Sequence, residues 1–152
     1  MKSILNGESS LDSQEAWPAE WGAGAVRTPF QSRAWLHHWL QHRGAALQPF
    51  FLVVDGGATI APFGRLRIMN IRVLRLLGSG DSDYTGLITT RDPAAAWDSV
   101  VRELARRRHE WDLLHLHSVA ERDAISSAVQ THLGRRASER IYELCPALTI
   151  EG

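Results

Sequence analysis

Asp55-Gly56-Gly57 stands between two short runs dense in aromatic and β-branched residues, Pro49-Phe50-Phe51-Leu52-Val53-Val54 before it and Ala58-Thr59-Ile60-Ala61-Pro62-Phe63 after it. Glycine reaches positive φ without a Cβ clash, so an acid followed by two glycines supplies the backbone of a tight turn. The pattern predicts an antiparallel hairpin over residues 49–63. A lone hairpin is not stable in water, which commits the chain to a larger sheet and to elements that cover its faces.

Those elements are legible on both sides of the hairpin. Ser32 caps a helix in which Trp35, Leu36, Trp39 and Leu40 recur at helical spacing and share one face, and Gly44 closes it. Asp92 and Pro93 open the clearest helix, with Trp97, Val100, Val101, Leu104 and Ala105 as its stripe and an end near His109. Between them the run 66–77 is thickly apolar, with Asn70 at a turn and Ile71, Val73, Leu74, Leu76 and Leu77 as a strand. Further strands are predicted at 84–88, at 111–116 as a buried strand, and at 140–144 before Pro146, with a helix over 120–133 stopped by Gly134. Ahead of all these, Ser9 and Ser10 precede a helical start at 11–17 that Pro18, Gly22 and Gly24 limit. Strands separated by helices imply an α/β chain of the α+β kind, a mixed, partly parallel sheet flanked by helices, in one domain over 1–152. A further strand starts around Leu148 and Ile150 just before Gly152, so the expectation is a domain from something longer.

Charge and cysteine usage exclude several functions. Seventeen basic and seventeen acidic side chains cancel, leaving no global field to draw in a nucleic-acid backbone. The run Arg106-Arg107-Arg108 ends the predicted helix, where cations complement the dipole and face water. Cys145 is the only cysteine, which excludes an internal disulfide and a thiolate cluster, and its nearest histidine in sequence, His132, is distant; a small buried hydrophobe is the expected role. Residues 1–11 lack the apolar core of a secretory signal and no stretch spans a bilayer, so the expectation is a cytoplasmic protein with no membrane span.

Chemistry-bearing residues fall in four places. His38 and His42, four apart beside His37, could share a helix face, but the acid and third ligand of a metal site are missing, and a polar edge to the tryptophan stripe accounts for them. His115 and His117 alternate with Leu114 and Leu116 and so lie on one strand face, as an acid–base pair or as hydrogen-bonded residues at the strand's carboxyl end. In Gly78-Ser79-Gly80-Asp81-Ser82-Asp83-Tyr84 the glycines let backbone N–H groups approach a ligand, and Asp81 and Asp83 can position a hydroxyl or amine. The same composition also makes an ordinary turn, and it lacks the lysine of a phosphate loop. Of the six tryptophans, Trp35, Trp39, Trp97 and Trp111 sit at core positions, while Trp17 and Trp21 either close over the core or mark a contact surface.

Three stretches resemble one family. Thr28-Pro29-Phe30-Gln31-Ser32-Arg33-Ala34-Trp35-Leu36 resembles a "TPFQSPAWL" opening, Leu74-Arg75-Leu76-Leu77-Gly78-Ser79-Gly80-Asp81-Ser82-Asp83-Tyr84 a "LRLLGSG..SDY" centre, and Trp111-Asp112-Leu113-Leu114 a "WDLL" strand. That pattern is similar to the CelD/BcsL-like acetyltransferases of the GNAT and FemAB-related superfamily, associated with bacterial cellulose and exopolysaccharide production, over roughly residues 15–150. The resemblance implies a GNAT-like three-layer arrangement and the earlier of two GNAT-like halves, with the acyl-donor site mainly in the later one. Gly78, Gly80, Asp83 and Tyr84 match the shared loop, whereas His115 and His117 stand where relatives often show an acid or an arginine.

A GNAT donor site holds the coenzyme A pyrophosphate on a glycine-containing turn at a helix start. Here that segment reads Thr90-Arg91-Asp92-Pro93-Ala94-Ala95, without glycine, with a proline that lacks an N–H and with an added negative charge. The expectation is therefore a chain that binds no cofactor itself, acetyl- or acyl-coenzyme A serving the full-length protein. Its partners would be a downstream GNAT-like domain and a small-molecule or saccharide acceptor. Candidate substrate-binding residues are Gly78, Gly80, Asp81, Asp83, Tyr84, His115 and His117, with no catalytic residue assigned. The alternative is a non-catalytic GNAT-like module that binds a partner through an exposed apolar face. A free-standing transferase with an atypical donor loop is the third reading, and the missing phosphate turn argues against it.

Overall fold

Strands β2 (Gln48–Val54) and β3 (Thr59–Ile68) form the predicted antiparallel pair, in register from Gln48 opposite Arg65 to Val54 opposite Thr59. The computed structural model describes residues 4–6, 28–44, 46–120, 125–134 and 137–140. The turn has positive φ at Asp55, Gly56 and Gly57. An aspartate holds that conformation because its carboxylate is committed, accepting from Ser99 Oγ at 2.9 Å and Thr59 Oγ1 at 3.3 Å and pairing with Arg91 at 2.6 Å. The turn is thereby tied to the helix that covers the sheet.

Strand β1 (Ile4–Asn6) adds to β2, and β4 (Ile71–Leu76) pairs antiparallel with β3. Strand β6 (Leu113–His115) runs parallel to β4, and β5 (Ile88–Thr89) pairs with the start of β3. The order β1-β2-β3-β4-β6, with β5 off the path, is the mixed sheet expected of an α+β chain. Helix α1 (Arg33–His42) lies on one face, where Leu36, Trp39 and Leu40 pack on Phe51, Ile60, Leu77 and Ile88. Helices α2 (Pro93–Arg106) and α3 (Ile125–Leu133) cover the other, where Trp97, Val100, Val101 and Leu104 meet Phe50, Leu52, Phe63, Leu74 and Leu76. Alternation along β2 and β4 sends successive side chains to the two cores. Each fully buried large side chain contributes roughly 1.5–3 kcal/mol, so the two layers together hold the sheet between them.

Caps and stops follow their chemistry. Ser32 Oγ accepts from Trp35 N at 3.2 Å, and Asp92 Oδ1 accepts from Ala95 N at 3.1 Å. Of the terminal arginines, Arg107 and Arg106 pair with Glu103, and Arg108 stacks over Trp111 at 3.9 Å. Among the described residues no helix is long and apolar enough to cross a membrane.

Four boundaries differ from the sequence reading. The hairpin's second strand, expected to end at Phe63, runs on through the apolar residues from Leu66 as far as Ile68. Helix α2 stops at Arg106 and a 3-10 turn carries the chain over Arg108–Glu110. At 84–88 only Ile88 enters a strand, because Thr85 is drawn to Val119 by an isolated parallel bridge and donates its N–H to the Ser118 carbonyl at 2.8 Å. The 111–116 segment pairs only at Leu113–His115, and with α1 not reaching it Leu113 is 50% exposed instead of buried. Residues 141–144 of the strand expected at 140–144, the helical start at 11–17, Trp17, Trp21 and Cys145 lie outside the described residues, as do residues 121–124 of the helix expected at 120–133.

Candidate functional site

The Gly78–Tyr84 stretch leaves the end of β4 and folds back on itself in consecutive tight turns. Asp81 N and Ser82 N both donate to the Gly78 carbonyl, at 3.2 and 3.0 Å. Gly78 and Gly80 have φ of 82° and 97°, and a Cβ on Gly78 would lie 2.6 Å from Ser82 Oγ. Glycine at 78 is thus required by backbone conformation and by space.

Helix α1 pins this loop from above. Trp35 Nε1 donates to Ser82 Oγ at 3.0 Å, Trp39 Nε1 donates to Asp81 Oδ2 at 2.8 Å, and Arg43 pairs with Asp81 at 3.5 Å. From below, Ser79 Oγ donates to the Leu76 carbonyl at 2.5 Å, and Arg75 Nη2 donates to the Ser79 carbonyl at 2.9 Å. Gln31 completes the frame by donating to the Leu87 carbonyl at 3.1 Å. The tryptophans read as core residues therefore do a second job: their hydrophobic bodies fill the α1 layer while their N–H groups fix the loop.

Between the carboxyl end of α1, the loop and β3–β4 lies an open cleft of about 350 Å³, lined by Trp39, Arg43, Ala46, Leu47, Leu66, Arg75, Ser79 and Asp81. Of the predicted site residues Asp81 lines it, and Gly80 adjoins it, since a Cβ there would come 3.9 Å from Arg75 Nη2. Gly78 forms the buried base of the loop. Asp83 is exposed and Tyr84 half-buried, and neither is on the lining.

His115 stands opposite Arg75 in the parallel β4–β6 register, and so on the α1 face of the sheet. Its ring centroid is 6.2 Å from that of His117, which lies just beyond the strand. Partial burial, with the positive Arg75 and then His117 nearby, pushes the His115 imidazolium below the ordinary histidine range, favouring the neutral ring. His117 Nδ1 is 2.8 Å from Ser118 Oγ, and its carbonyl accepts from Thr85 Oγ1 at 2.5 Å. The two histidines therefore belong to the seam joining the loop's exit to the end of β6, outside the cleft lining.

That seam is anchored at its other end by a clamp. Arg72 Nε and Nη2 donate to the two oxygens of Asp112 at 2.9 Å each, and Arg72 N donates to the same carboxylate at 2.8 Å. These hydrogen bonds, side chain first and backbone second, hold the Asp112 carboxyl far below the usual carboxylate range. The "WDLL" aspartate thus sets the register of β6 on β4 and has no place in the cleft.

At the start of α2 the Asp92 carboxylate accepts from Ala95 N, and Pro93 supplies no N–H. The His38 and His42 rings lie 4.3 Å apart along α1, tilted by 51°, and no group of three metal-ligating side chains forms among the described residues.

Sequence reasoning passed over Arg75 and Arg43, which give the cleft its charge. The available signal was Arg75 itself, a lone charge between Val73 and Leu77 at an inward-facing strand position. No family model, curated protein or solved structure matches the chain.

Proposed function

We propose that this chain is the amino-terminal, GNAT-like domain of a CelD/BcsL-type acyltransferase and that it shapes the acceptor side of acyl transfer from acyl-coenzyme A to an amine or hydroxyl. The reading is supported by one observation above all. The opening and central stretches that carry the family resemblance, more than forty residues apart, meet through the Trp35–Ser82 hydrogen bond, and the helix that the opening stretch begins goes on to bond Asp81 through Trp39 and to wall the cleft with Trp39 and Arg43. Asp81 presents a carboxylate there to orient an amine or hydroxyl, and the α2 start is closed to the donor, which leaves donor binding to a downstream domain. Exopolysaccharide or cellulose production is the setting the resemblance suggests.

The test uses the continuous full-length protein with acetyl-coenzyme A and a panel of amine and hydroxyl acceptors, following release of the free thiol. Asp81→Asn is expected to lower acceptor kcat/KM at least tenfold with the donor KM unchanged. The neighbouring pair, changed together as Asp83→Asn with Tyr84→Phe, should reduce turnover if it forms the acceptor rim or the seam with the second domain. Unchanged kinetics in both variants would reduce the loop to a structural turn.

A specific observation favours a second reading, a non-catalytic module that binds a partner. Ile68, Met69, Ile71 and Leu113 are 50%, 85%, 45% and 50% exposed. Ile68 faces Ile71 and Leu113 faces Val73 in register, so Ile68, Ile71 and Leu113 lie on the α1 side of the sheet beyond the reach of α1, with Met69 at the adjoining turn. Ile71→Glu with Leu113→Glu should separate the readings. Loss of association with the downstream domain, together with turnover that Asp81→Asn leaves unchanged, supports the module, and unaltered association removes it.

A further inference from the structure

We infer that the cleft beside the 78–83 loop is a binding site for a small carboxylic acid, with the Arg75 guanidinium as the group that reads the carboxylate. Arg75 is half-buried on the α1 face of the sheet, with the apolar Val73 and Leu77 two residues before and after it, Gly64 opposite it on β3 and His115 opposite it on β6. Its Nη2 donates to one carbonyl, that of Ser79, and its Nε is buried with no hydrogen-bond partner. No carboxylate lies within ion-pair distance of it among the described residues, and His115, opposite it in register, is disfavoured from protonating by its burial and by the Arg75 charge.

Arg65 also has a buried Nε without a partner, but it and the half-buried Arg107 and Arg108 have a carboxylate or a ring against the guanidinium. Arg65 reaches Glu110 at 2.7 Å, Arg107 reaches Glu103 and Glu110 at 3.4 and 3.0 Å, and Arg108 rests on the Trp111 ring. A desolvated guanidinium without a counter-charge is unfavourable, so its retention on an apolar face points to an anion that arrives from solution.

The cleft's own charges choose the kind of anion. It holds two cations, Arg43 and Arg75, and one anion, Asp81, which is already engaged by Trp39 Nε1 and Arg43. A single negative charge balances the excess, whereas a phosphate dianion would be undercompensated and would meet the Asp81 carboxylate. A planar carboxylate also matches the guanidinium fork. At about 350 Å³ the space is near the lower end for ligand sites, which suits a small molecule with its body against Leu47 and Leu66. A hydroxyl or amine on that molecule can donate to Asp81, so the ligand class is a small hydroxy or amino acid. This rests on the reading of the cleft as the acceptor ground.

The test is binding without any acyl donor. The full chain is titrated with mandelate, with mandelamide, which is its neutral isostere, and with inorganic phosphate, following amide and indole signals of residues 78–82 and Trp39 by NMR. Saturable shifts with mandelate, none with mandelamide, and at least tenfold weaker binding in Arg75→Gln are the expected results. Arg75→Lys keeps the charge without the fork and should fall between, which guards against a fold defect in the glutamine variant. Equal binding of mandelamide, phosphate matching mandelate, no saturation by mandelate, or full binding by Arg75→Gln would each overturn the inference. Mandelate binding in a full-length protein that transfers no acyl group would remove the transferase reading and leave this one standing.

Discussion

Two glycines with similar backbone angles test how much of the loop's shape is demanded by space. Gly78 has φ of 82° and its added Cβ would strike Ser82 Oγ at 2.6 Å, while Gly56 has φ of 66° and nothing within 4 Å of its added Cβ. A side chain in the left-handed region is unfavourable by roughly 1 kcal/mol, partly offset by the lower entropy of the unfolded chain. Gly56→Ala should therefore destabilise by about 1 kcal/mol or less. Gly78→Ala adds the collision, which either pushes Ser82 off the Trp35 indole or shifts the loop, and should destabilise by about 2–3 kcal/mol. Urea denaturation of the two variants checks the difference, and equal midpoints would mean that the turn can widen without resistance. At Trp35 and Trp39 the sequence revealed only half of the role. Helical spacing predicts their burial, but the loop acceptors of their N–H groups are 47 and 42 residues away, a distance no local pattern encodes.

The elements that were legible are those whose signals are local. The hairpin follows from its turn residues, α1 from Ser32 and the tryptophan stripe, and α2 from Asp92, Pro93 and its apolar face. The Asp92 cap carries a measurable consequence. Asp92→Ala removes the bond to Ala95 N and should lower stability by about 1 kcal/mol, read as a drop in thermal midpoint without change in helix content. A neutral effect would mean that Pro93 alone sets the helix start. Less legible were the elements decided by distant pairing. The start of β6 is set by the Arg72–Asp112 clamp, and Thr85 is held by the backbone at Ser118 instead of pairing in the sheet. Arg75 escaped notice for the same reason. Its environment is made by the register of three strands and by the loop that folds back on it, so its missing counter-charge becomes visible only when those are assembled.

At the scale of the whole molecule, helices lie on both faces of the sheet and the cleft opens where α1 ends. This geometry also argues that the chain alone will not bind acetyl-coenzyme A appreciably. Coenzyme A is a polyanion whose pyrophosphate needs several outward N–H groups and no negative charge among them. The start of α2 fails on both counts, because Ala95 N is taken by the Asp92 carboxylate and Pro93 has no N–H to offer. The cleft by α1 carries an excess of only one positive charge and includes the Asp81 carboxylate, which disfavours a multiply charged phosphate ligand. Charge-assisted hydrogen bonds contribute roughly 1.5–3 kcal/mol each, so forgoing two of them lowers affinity on the order of a hundredfold or more. Titration calorimetry of this chain with acetyl-coenzyme A should therefore give no saturable heat at micromolar concentrations. A micromolar isotherm would place a donor site within the chain, end the reading of it as the acceptor-side half of a two-part enzyme, and revive a free-standing transferase.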